Sequence, residues 1–233
     1  MRSNWFCKYK LAHRGLHSDK FPENSLGAFE NACNHGFAIE LDVRLTKDGT
    51  PIIFHDRNTY RMCGIDKNIN ELTIDELEQY HLSGTKYTIP TLQQVLDLVD
   101  GKTPIMIELK PVRKKENIEK ITYSLLKDYK GEFAIKSFNP LTIMWFKKHA
   151  PEVLRGMLSS YFEGIKLPLI YKLIVKKLYM FHLVKPDFIS YCHSNLPNKY
   201  VQRKKVPIIA WTINSPSMEK EVLQKANNIV FEN

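Results

Sequence analysis

The sequence contains few cysteines, four in 233 residues, at positions 7, 33, 63 and 192. None of them belongs to a Cys-x-x-Cys pair or lies at zinc-finger spacing. The pattern argues against a disulfide scaffold and favours a chain that folds in a reducing compartment. We therefore predict a cytoplasmic location.

Long apolar runs are also missing. The first ten residues, MRSNWFCKYK, hold no apolar run, so we expect no signal peptide. No stretch of about 18 charge-free apolar residues occurs, so we expect no membrane span. With 43% hydrophobic and 25% charged residues, and no repeat or low-complexity linker, the composition is that of a globular protein. It excludes a disordered chain, a fibre and a coiled coil.

Acidic residues are scarce in the second half of the chain. Residues 1–116 hold 16 basic and 16 acidic residues, whereas residues 117–233 hold 18 and 9. The whole formal charge of +9 therefore comes from the second half. We expect that part to face something anionic or to keep the protein in solution.

Short β-rich runs alternate with helical patterns, which favours an α/β fold with a parallel sheet. The β-rich runs cover residues 8–12, 37–43, 51–55, 104–110, 132–138, 153–158, 186–191, 206–213 and 227–232. The helical patterns cover residues 25–35, 73–80, 91–99, 117–129, 140–149 and 217–226.

This alternation predicts one domain over residues 1–233, a (β/α)8 TIM barrel. An open doubly wound sheet is the rival, but no glycine-rich phosphate turn follows the first run. The sequence has nine β-rich runs, whereas such a barrel has eight strands. Moreover, residues 44–50 are too few for a crossover helix, which needs roughly a dozen residues. Either that connection is irregular or one run is not a barrel strand.

Charged side chains interrupt two of the predicted strands. Alternation in 37–43 places Glu40 and Asp42 on one face, roughly 6–7 Å apart at Cα. In 104–110 the same alternation places Glu108 and Lys110 on one face. Buried carboxylates need a cationic partner, and a hard divalent cation is the simplest one. The alternative is a set of buried salt bridges in which Lys110 pairs with Glu40 or Asp42.

Two histidines lie at the ends of predicted strands. His13 follows 8–12 and begins a His-Arg-Gly sequence, and His55 ends 51–55 and precedes Asp56. Two imidazoles can supply a general base and a general acid near neutral pH. Arg14 offers a fork of donors for a phosphate or a carboxylate.

The stretch LAHRGLHSDKFPENSLGAFENACNHGFAIELDVRLTKDGTPIIFHD, residues 11–56, resembles the opening of the glycerophosphodiester phosphodiesterase family. The resemblance continues through LTIDEL (72–77), IPTLQQVLDLV (89–99), IELK (107–110), KSFNP (136–140) and AWTIN (210–214). It covers most of the chain in the right order.

The resemblance implies a PLC-like phosphodiesterase barrel that hydrolyses a glycerophosphodiester to glycerol phosphate and an alcohol. It implies that His13 and His55 form the acid–base pair. It also implies one divalent cation, Ca²⁺ or Mg²⁺, bound by the carboxylates Glu40, Asp42 and Glu108. Which histidine is the base, and whether water or the glycerol 2-hydroxyl attacks first, stays open.

The resemblance also implies substrate contacts and shows one departure. Arg14 and Lys110 are implied to contact the phosphate, and Trp211 to line the glycerol side, although a core tryptophan is the alternative. Phe231 and Glu232 stand where the family often has Thr and Asp, and we expect this to affect only local substrate shape. We take Asn24 as a candidate N-cap of the first helix.

Residues 164–185 are basic and unusually apolar for a helix on the outside of a barrel. One interpretation is an amphipathic element at an anionic membrane surface. The favoured one is a barrel helix whose lysines reach into water; oligomerisation through this face is a third. The partners we expect are therefore a small glycerophosphodiester substrate, no nucleic acid, and an anionic membrane as a peripheral contact. The oligomeric state stays open.

Two other functions compete with this prediction. One is a lysophospholipase D-like hydrolase that acts on a membrane lipid or on a glycerol-phosphate polymer, which could use the same residues. The other is a non-catalytic barrel that binds phosphate ligands or a membrane. A binding module has no need of two imidazoles, so the pair formed by His13 and His55 argues against it.

Overall fold

The computed structural model describes residues 4–111, 117–164 and 168–232. All of its strands belong to one sheet. Within the described residues the strands are β1 (Leu11–Ala12), β2 (Ala38–Leu45), β3 (Pro51–Ile53), β4 (Ile105–Leu109), β5 (Phe133–Ser137), β6 (Leu154–Ser159), β7 (Phe188–Cys192), β8 (Ile208–Ile213) and β9 (Asn228–Phe231).

Helices connect most of these strands. Within the same ranges they are α1 (Leu26–Asn34), α2 (Tyr60–Cys63), α3 (Ile74–Leu77), α4 (Leu92–Val99), α5 (Ile118–Leu126), α6 (Pro140–His149), α7 (Leu169–Lys176), α8 (Phe181–Val184), α9 (Lys199–Gln202) and α10 (Pro216–Val222). None of them is long and apolar enough to cross a membrane.

Eight of the strands form a closed parallel barrel, which confirms the predicted fold. Neighbours pair in the order β1, β9, β8, β7, β6, β5, β4, β2, and β1 also pairs with β2, so the sheet closes on itself. Parallel strands all end on the same side of such a barrel. Residues that follow different strands therefore meet at one mouth.

The run predicted at residues 51–55 is not a barrel strand. It forms the short β3, which pairs antiparallel with β2, Ile53 opposite Val43. Five residues join the two strands, and so short a link permits a hairpin but no crossover helix. The run at 51–55 is thus the one that is not a barrel strand, an alternative that the sequence left open, and His55 lies two residues beyond the hairpin strand β3.

The barrel strands alternate between two environments. Ile39, Leu41 and Val43 point outward and pack in one core cluster with Phe29 of α1 and Val95 of α4. The inward positions at the amino end of the barrel are apolar as well. That inner core includes Leu11, Met106, Ala134, Phe188 and Val230, together with Trp5 and Phe6 from a short turn ahead of β1. Polar inward residues therefore gather at the carboxyl end.

Local signals set the starts of two helices. Thr73 and Glu76 form the expected reciprocal capping box at α3. The expected N-cap of α1, however, is wrong by one residue, because the Ser25 side chain accepts from the amide of Ala28. Asn24 instead turns its side chain toward the carboxyl end of β2.

The basic segment 164–185 has a buried face and an exposed face. Residues 165–167 lie outside the described residues. Val175, Leu178, Phe181 and Val184 are buried against the barrel, as a barrel helix requires. Leu169 and Ile170, by contrast, are each 73% exposed at the start of α7.

Candidate active site

One cavity of about 260 Å³ opens at the carboxyl ends of the strands. It contains every residue that the sequence suggested for the site. These are His13, Arg14, Glu40, Asp42, His55, Glu108, Lys110 and Trp211. Lys136, Phe138, Leu158 and Thr212 complete the lining.

Three carboxylates form the floor of this cavity. Each of Glu40, Asp42 and Glu108 is buried and offers an oxygen that lies within 4.8 Å of the other two. Strand register explains the arrangement, because Asp42 of β2 lies beside Glu108 of β4 and Glu40 is two residues earlier on the same face. Three converging carboxylate oxygens are a donor set that suits a hard divalent cation.

Two buried ammonium groups accompany the carboxylates. Lys110 Nζ lies 2.8 Å from Asp42 Oδ1 and 2.5 Å from Glu108 Oε1. Lys136 Nζ lies 2.7 Å from Glu40 Oε1 and 3.9 Å from Glu108 Oε2. The alternative interpretation of these strands, buried salt bridges, is therefore also present in the molecule. A buried salt bridge and a cation site share the same carboxylates here.

The lysines keep the carboxylates ionised. Burial alone would raise the pKa of Asp42, but the charges of Lys110, His55 and Arg14 outweigh it and hold that pKa well below its usual range. For Glu40 burial is again opposed, chiefly by Lys136, and the pKa is lowered. At neutral pH Glu40 and Asp42 are thus ionised, and each is paired with a buried ammonium group.

The His-Arg-Gly turn after β1 positions two residues that were predicted for the site, His13 and Arg14. Arg14 has a left-handed backbone (φ 54°), and its amide donates to Glu40 Oε2 at 3.1 Å. Gly15 follows with φ 83°, and a Cβ there would lie 2.9 Å from backbone and side-chain atoms of Ala28. Only glycine fits both demands. The turn fixes His13 and Arg14 above the carboxylates.

His55 is held by the residue that follows it. Its Nδ1 lies 2.7 Å from Asp56 Oδ1, which leaves Nε2 as the free ring nitrogen. The hairpin brings it over the floor, since the amide of Phe54 donates to the carbonyl of Asp42. Burial lowers the pKa of His55, and the positive charges of Lys110 and Arg14 act in the same direction.

His13 has a carboxylate partner from the other end of the chain. Glu232, directly after β9, lies 3.3 Å from His13 Nδ1. This hydrogen bond lowers the pKa of Glu232 to about 2, so the carboxylate stays ionised. Each of the two histidines therefore has a carboxylate at Nδ1, as an oriented acid–base group requires.

An ion-pair network joins the loops that carry the two histidines. Arg14 Nη1 donates to Glu23 at 2.7 Å, Arg61 Nη2 donates to the same oxygen at 2.6 Å, and Arg61 Nε donates to Asp56 at 2.6 Å. Asn24 adds a hydrogen bond of 3.0 Å to Asp42 Oδ2. The guanidinium of Arg14 is thus positioned by Glu23 and oriented along the cavity.

Aromatic side chains line the opposite wall of the cavity. Phe138 contacts both Phe162 and Trp211 edge to face, with ring centroids 5.6 and 5.9 Å apart. The Trp211 indole N–H is buried and has no hydrogen-bond partner within the described part of the chain. An orphaned donor in a lined cavity indicates a ligand group or a water molecule there.

Several residues of the site did not emerge from the sequence as functional. Lys136 belongs to the segment KSFNP that resembles the family, but nothing in the sequence assigned it a role. The alternation of side chains along β5 does predict that it points inward. Asp56 was visible beside His55. The sequence marked Glu23 only as part of the Pro-Glu-Asn turn into the first helix and did not mark Arg61 at all, since their contacts depend on how two loops meet. Glu232 was noted only as a difference from the usual family sequence that affects substrate shape. In the structure its carboxylate contacts His13.

Comparison with known proteins identifies the family to which the chain is similar. The model of the Glycerophosphoryl diester phosphodiesterase family matches residues 13–230. A glycerophosphodiester phosphodiesterase of Caldanaerobacter subterraneus subsp. tengcongensis is 29% identical over 235 residues, 94% of this chain and 92% of that protein. A lysophospholipase D of Rattus norvegicus is 32% identical over 140 residues, 54% of this chain and 43% of that protein.

A solved structure of another phosphodiesterase has the same fold as this chain. A phosphodiesterase of Oleispira antarctica, in complex with the product sn-glycerol-3-phosphate, superposes with a TM-score of 0.84 and 25% identity, over 100% of this chain and 95% of that one. The family match spans the cavity residues from His13 to Trp211 and nearly the whole barrel. This chain is therefore a member of the glycerophosphoryl diester phosphodiesterase family, a family of phosphoric diester hydrolases.

Proposed function

We propose that this protein hydrolyses a glycerophosphodiester to glycerol phosphate and an alcohol, with two histidines as acid and base and one divalent cation, Ca²⁺ or Mg²⁺. The observation that carries the proposal is the meeting of His13 and His55, each held by a carboxylate, above three converging carboxylates in one cavity. The bound product of the Oleispira antarctica phosphodiesterase supports this substrate class.

Glu40, Asp42 and Glu108 would hold the cation. Their donor set fits it, because all three carboxylates are buried and their oxygens converge. When bound, such a cation supplies positive charge that neutralises the phosphate and polarises one of its oxygens. Every other contribution comes from the protein's own side chains.

The surroundings of the two histidines suit them to different roles. Burial lowers the pKa of His55, which favours the unprotonated ring that a general base requires. Glu232 can compensate a positive charge on His13, which suits a general acid. His55 would take the proton of the attacking hydroxyl, which adds to phosphorus. His13 would protonate the oxygen of the departing alcohol as the P–O bond breaks.

Arg14, Lys110 and Trp211 would position the substrate. Arg14 and Lys110 line the cavity beside the carboxylates and supply positive charge for a phosphate. Trp211 lines the same cavity, and its indole N–H, which has no partner among the described residues, is the candidate donor to a substrate oxygen. The aromatic wall around it suits the carbon skeleton of glycerol.

The decisive experiment is hydrolysis of glycerophosphocholine and glycerophosphoethanolamine by purified protein. Activity should vanish in EDTA and return with Ca²⁺ or Mg²⁺, and His13→Ala and His55→Ala should each abolish it. His149→Ala, an exposed helix position, serves as the control. Wild-type turnover in both histidine variants would refute the acid–base assignment.

A second candidate substrate is a lysophospholipid presented at an anionic membrane surface. Leu141 begins α6 and Leu169 and Ile170 begin α7, and all three are at least 56% exposed. Both helices follow barrel strands, so their first turns lie at the carboxyl end with the cavity. Tyr171 also donates from α7 to the carbonyl of Phe138, which lines the cavity.

Positive charge without a carboxylate partner accompanies these apolar side chains, although Lys176 and Lys177 also lie over tyrosine rings. Lys172, Lys176 and Lys177 belong to α7 and its C-cap, and none forms a salt bridge within the described residues. Exposed apolar residues with unpaired lysines match the chemistry of an anionic lipid surface. The lysophospholipase D relative supports this substrate class.

Vesicle sedimentation separates the two substrates. The protein should sediment with phosphatidylcholine vesicles only when phosphatidylglycerol is included, and Leu169→Ser/Ile170→Ser should weaken this binding about tenfold. Leu223→Ser removes a leucine that is 42% exposed beyond α10, and it is the matched control. If the wild type, the double variant and the control sediment equally, the soluble diester remains the proposed substrate. If the wild type self-associates and the double variant does not, the exposed residues form a dimer interface instead.

A further inference from the structure

Lys136 is the second buried lysine of the carboxylate floor. Alternation along β5 turns it inward with Ala134, while Ile135 packs outward against the helices. Its side chain is 3% exposed. A lysine this deeply buried is retained only where anionic partners surround its ammonium group.

Its partners are the carboxylates of the candidate cation site itself. Register places Lys136 beside Glu108, and its Nζ lies 2.7 Å from Glu40 Oε1. Lys110 forms ion pairs with the other two carboxylates, Asp42 and Glu108. Together the two ammonium groups contact all three of the carboxylates that would hold the cation.

The charges balance without any added ion. Glu40, Asp42 and Glu108 carry three negative charges, and Lys110 and Lys136 carry two positive ones. Arg14 adds a third, with its Nε 3.5 Å from Asp42 Oδ2. A divalent cation that enters this floor therefore meets carboxylates whose charge is already largely balanced, and it finds Lys136 on Glu40 and Lys110 on Asp42 and Glu108.

We propose that Lys136 is an internal counter-ion that competes with the divalent cation for Glu40, and so sets the affinity of the site for the metal. It keeps the metal-free barrel stable and makes metal binding weaker than three carboxylates alone would give. This inference rests on the proposed cation site, and the experiment below distinguishes the failure of one from the failure of the other.

The test is calorimetric titration of the purified protein with Ca²⁺ and with Mg²⁺. Lys136→Met keeps the length of the side chain and removes its charge, and Lys136→Gln keeps a donor for Glu40. Both should bind the metal at least about tenfold more tightly than the wild type, because a like charge has left a buried site. Lys127→Met, which removes a half-exposed surface charge, is the control and should bind like the wild type.

Thermal unfolding gives a readout that needs no substrate. In EDTA the two Lys136 variants should have a lower Tm than the wild type, since Glu40 loses its counter-ion. Added Ca²⁺ should raise the Tm of the variants by more than it raises that of the wild type. A variant that folds only with Ca²⁺ also supports the proposal, because the metal then replaces the ammonium group.

Three outcomes would overturn it. Equal metal affinity in the wild type and both variants would make Lys136 a structural ion pair. A variant that stays unfolded with and without Ca²⁺ would show that the metal cannot replace the lysine. No metal binding by any protein, the variants included, would instead remove the cation site and with it the proposed metal-dependent chemistry.

Discussion

At the scale of single residues, the site depends on carboxylates that hold imidazoles. Glu232 contacts His13 Nδ1 at 3.3 Å and is the last described residue of the chain. Glu232→Gln removes the charge that fixes this ring, so kcat should fall about tenfold while KM changes little. Steady-state hydrolysis of glycerophosphocholine checks this.

Two further variants separate a positioning role from a loss of structure. Glu232→Asp keeps the carboxylate and should restore most of kcat. Glu221→Gln, which removes an exposed partner of Lys225, should leave both parameters unchanged. If Glu232→Gln turns over like the wild type, the carboxylate has no part in orienting His13.

His55 makes a prediction about pH. Burial lowers its pKa, Lys110 and Arg14 act in the same direction, and the charge of Asp42 and the hydrogen bond that His55 donates to Asp56 oppose them. A base with a lowered pKa stays unprotonated to more acidic pH. The acid limb of the kcat/KM profile should therefore have its midpoint below 6.5.

Asp56→Asn tests the same assignment from the other side. Because Asp56 favours the protonated ring, its removal should move the midpoint to still lower pH. A wild-type midpoint at or above pH 6.5, or a shift of the variant to higher pH, would exclude His55 as the base.

At the scale of elements, alternation is the property that the sequence reveals best. Period-two patterns in β2 and β4 predict which faces carry Glu40, Asp42, Glu108 and Lys110, since this depends only on the local backbone. Closure of the barrel is a tertiary event. It decides that Glu232 reaches His13 and that Arg61 bridges two loops, and no local pattern encodes such contacts.

The hairpin of β2 and β3 shows the same limit. The length of the link excluded a crossover helix, so the sequence exposed the difficulty. It did not reveal that the chain would turn back along β2 and deliver His55 over Asp42. That outcome depends on which strand offers a free edge at this point of the barrel.

The His-Arg-Gly turn can be tested as an element. Gly15→Ala adds a Cβ that would lie 2.9 Å from Ala28 at a backbone φ of 83°. Left-handed strain and overpacking together should lower the free energy of unfolding by about 2–5 kcal/mol. Gly36→Ala has a similar φ of 71° but nothing within 4 Å, so strain alone should cost about 1–2 kcal/mol. Urea unfolding measures the free energy of unfolding of both variants. If the two variants lose the same amount, the added Cβ at position 15 makes no steric clash with α1.

At the scale of the whole molecule, the barrel separates stability from chemistry. Trp5, Phe6 and the apolar inner core fill the amino end, and the charged groups occupy the carboxyl end. A folded barrel must therefore tolerate a buried cluster of ionised groups. It does so because its lysines and its arginine are matched to the carboxylates.

This matching predicts how stability depends on pH. Burial lowers the pKa of both His17 and His55 below 6.5, so the folded chain binds a proton at these rings less readily than the unfolded chain does. As the pH falls through 6.5, the unfolded state takes up more protons and the free energy of unfolding decreases. Asp42 and Glu40, whose pKa values are also lowered, add a further loss of stability only at much lower pH.

Tm should therefore be highest near neutral pH and fall between about pH 6.5 and 5, before the carboxylates titrate. Differential scanning calorimetry in EDTA at several pH values measures this without interference from bound metal. His17→Gln should flatten the decline, because it removes one of the two groups that gain a proton on unfolding. A Tm that stays constant or rises from pH 7 to 5 would show that the two histidines are protonated in the folded barrel, and the assignment of His55 as a neutral base would fall with it.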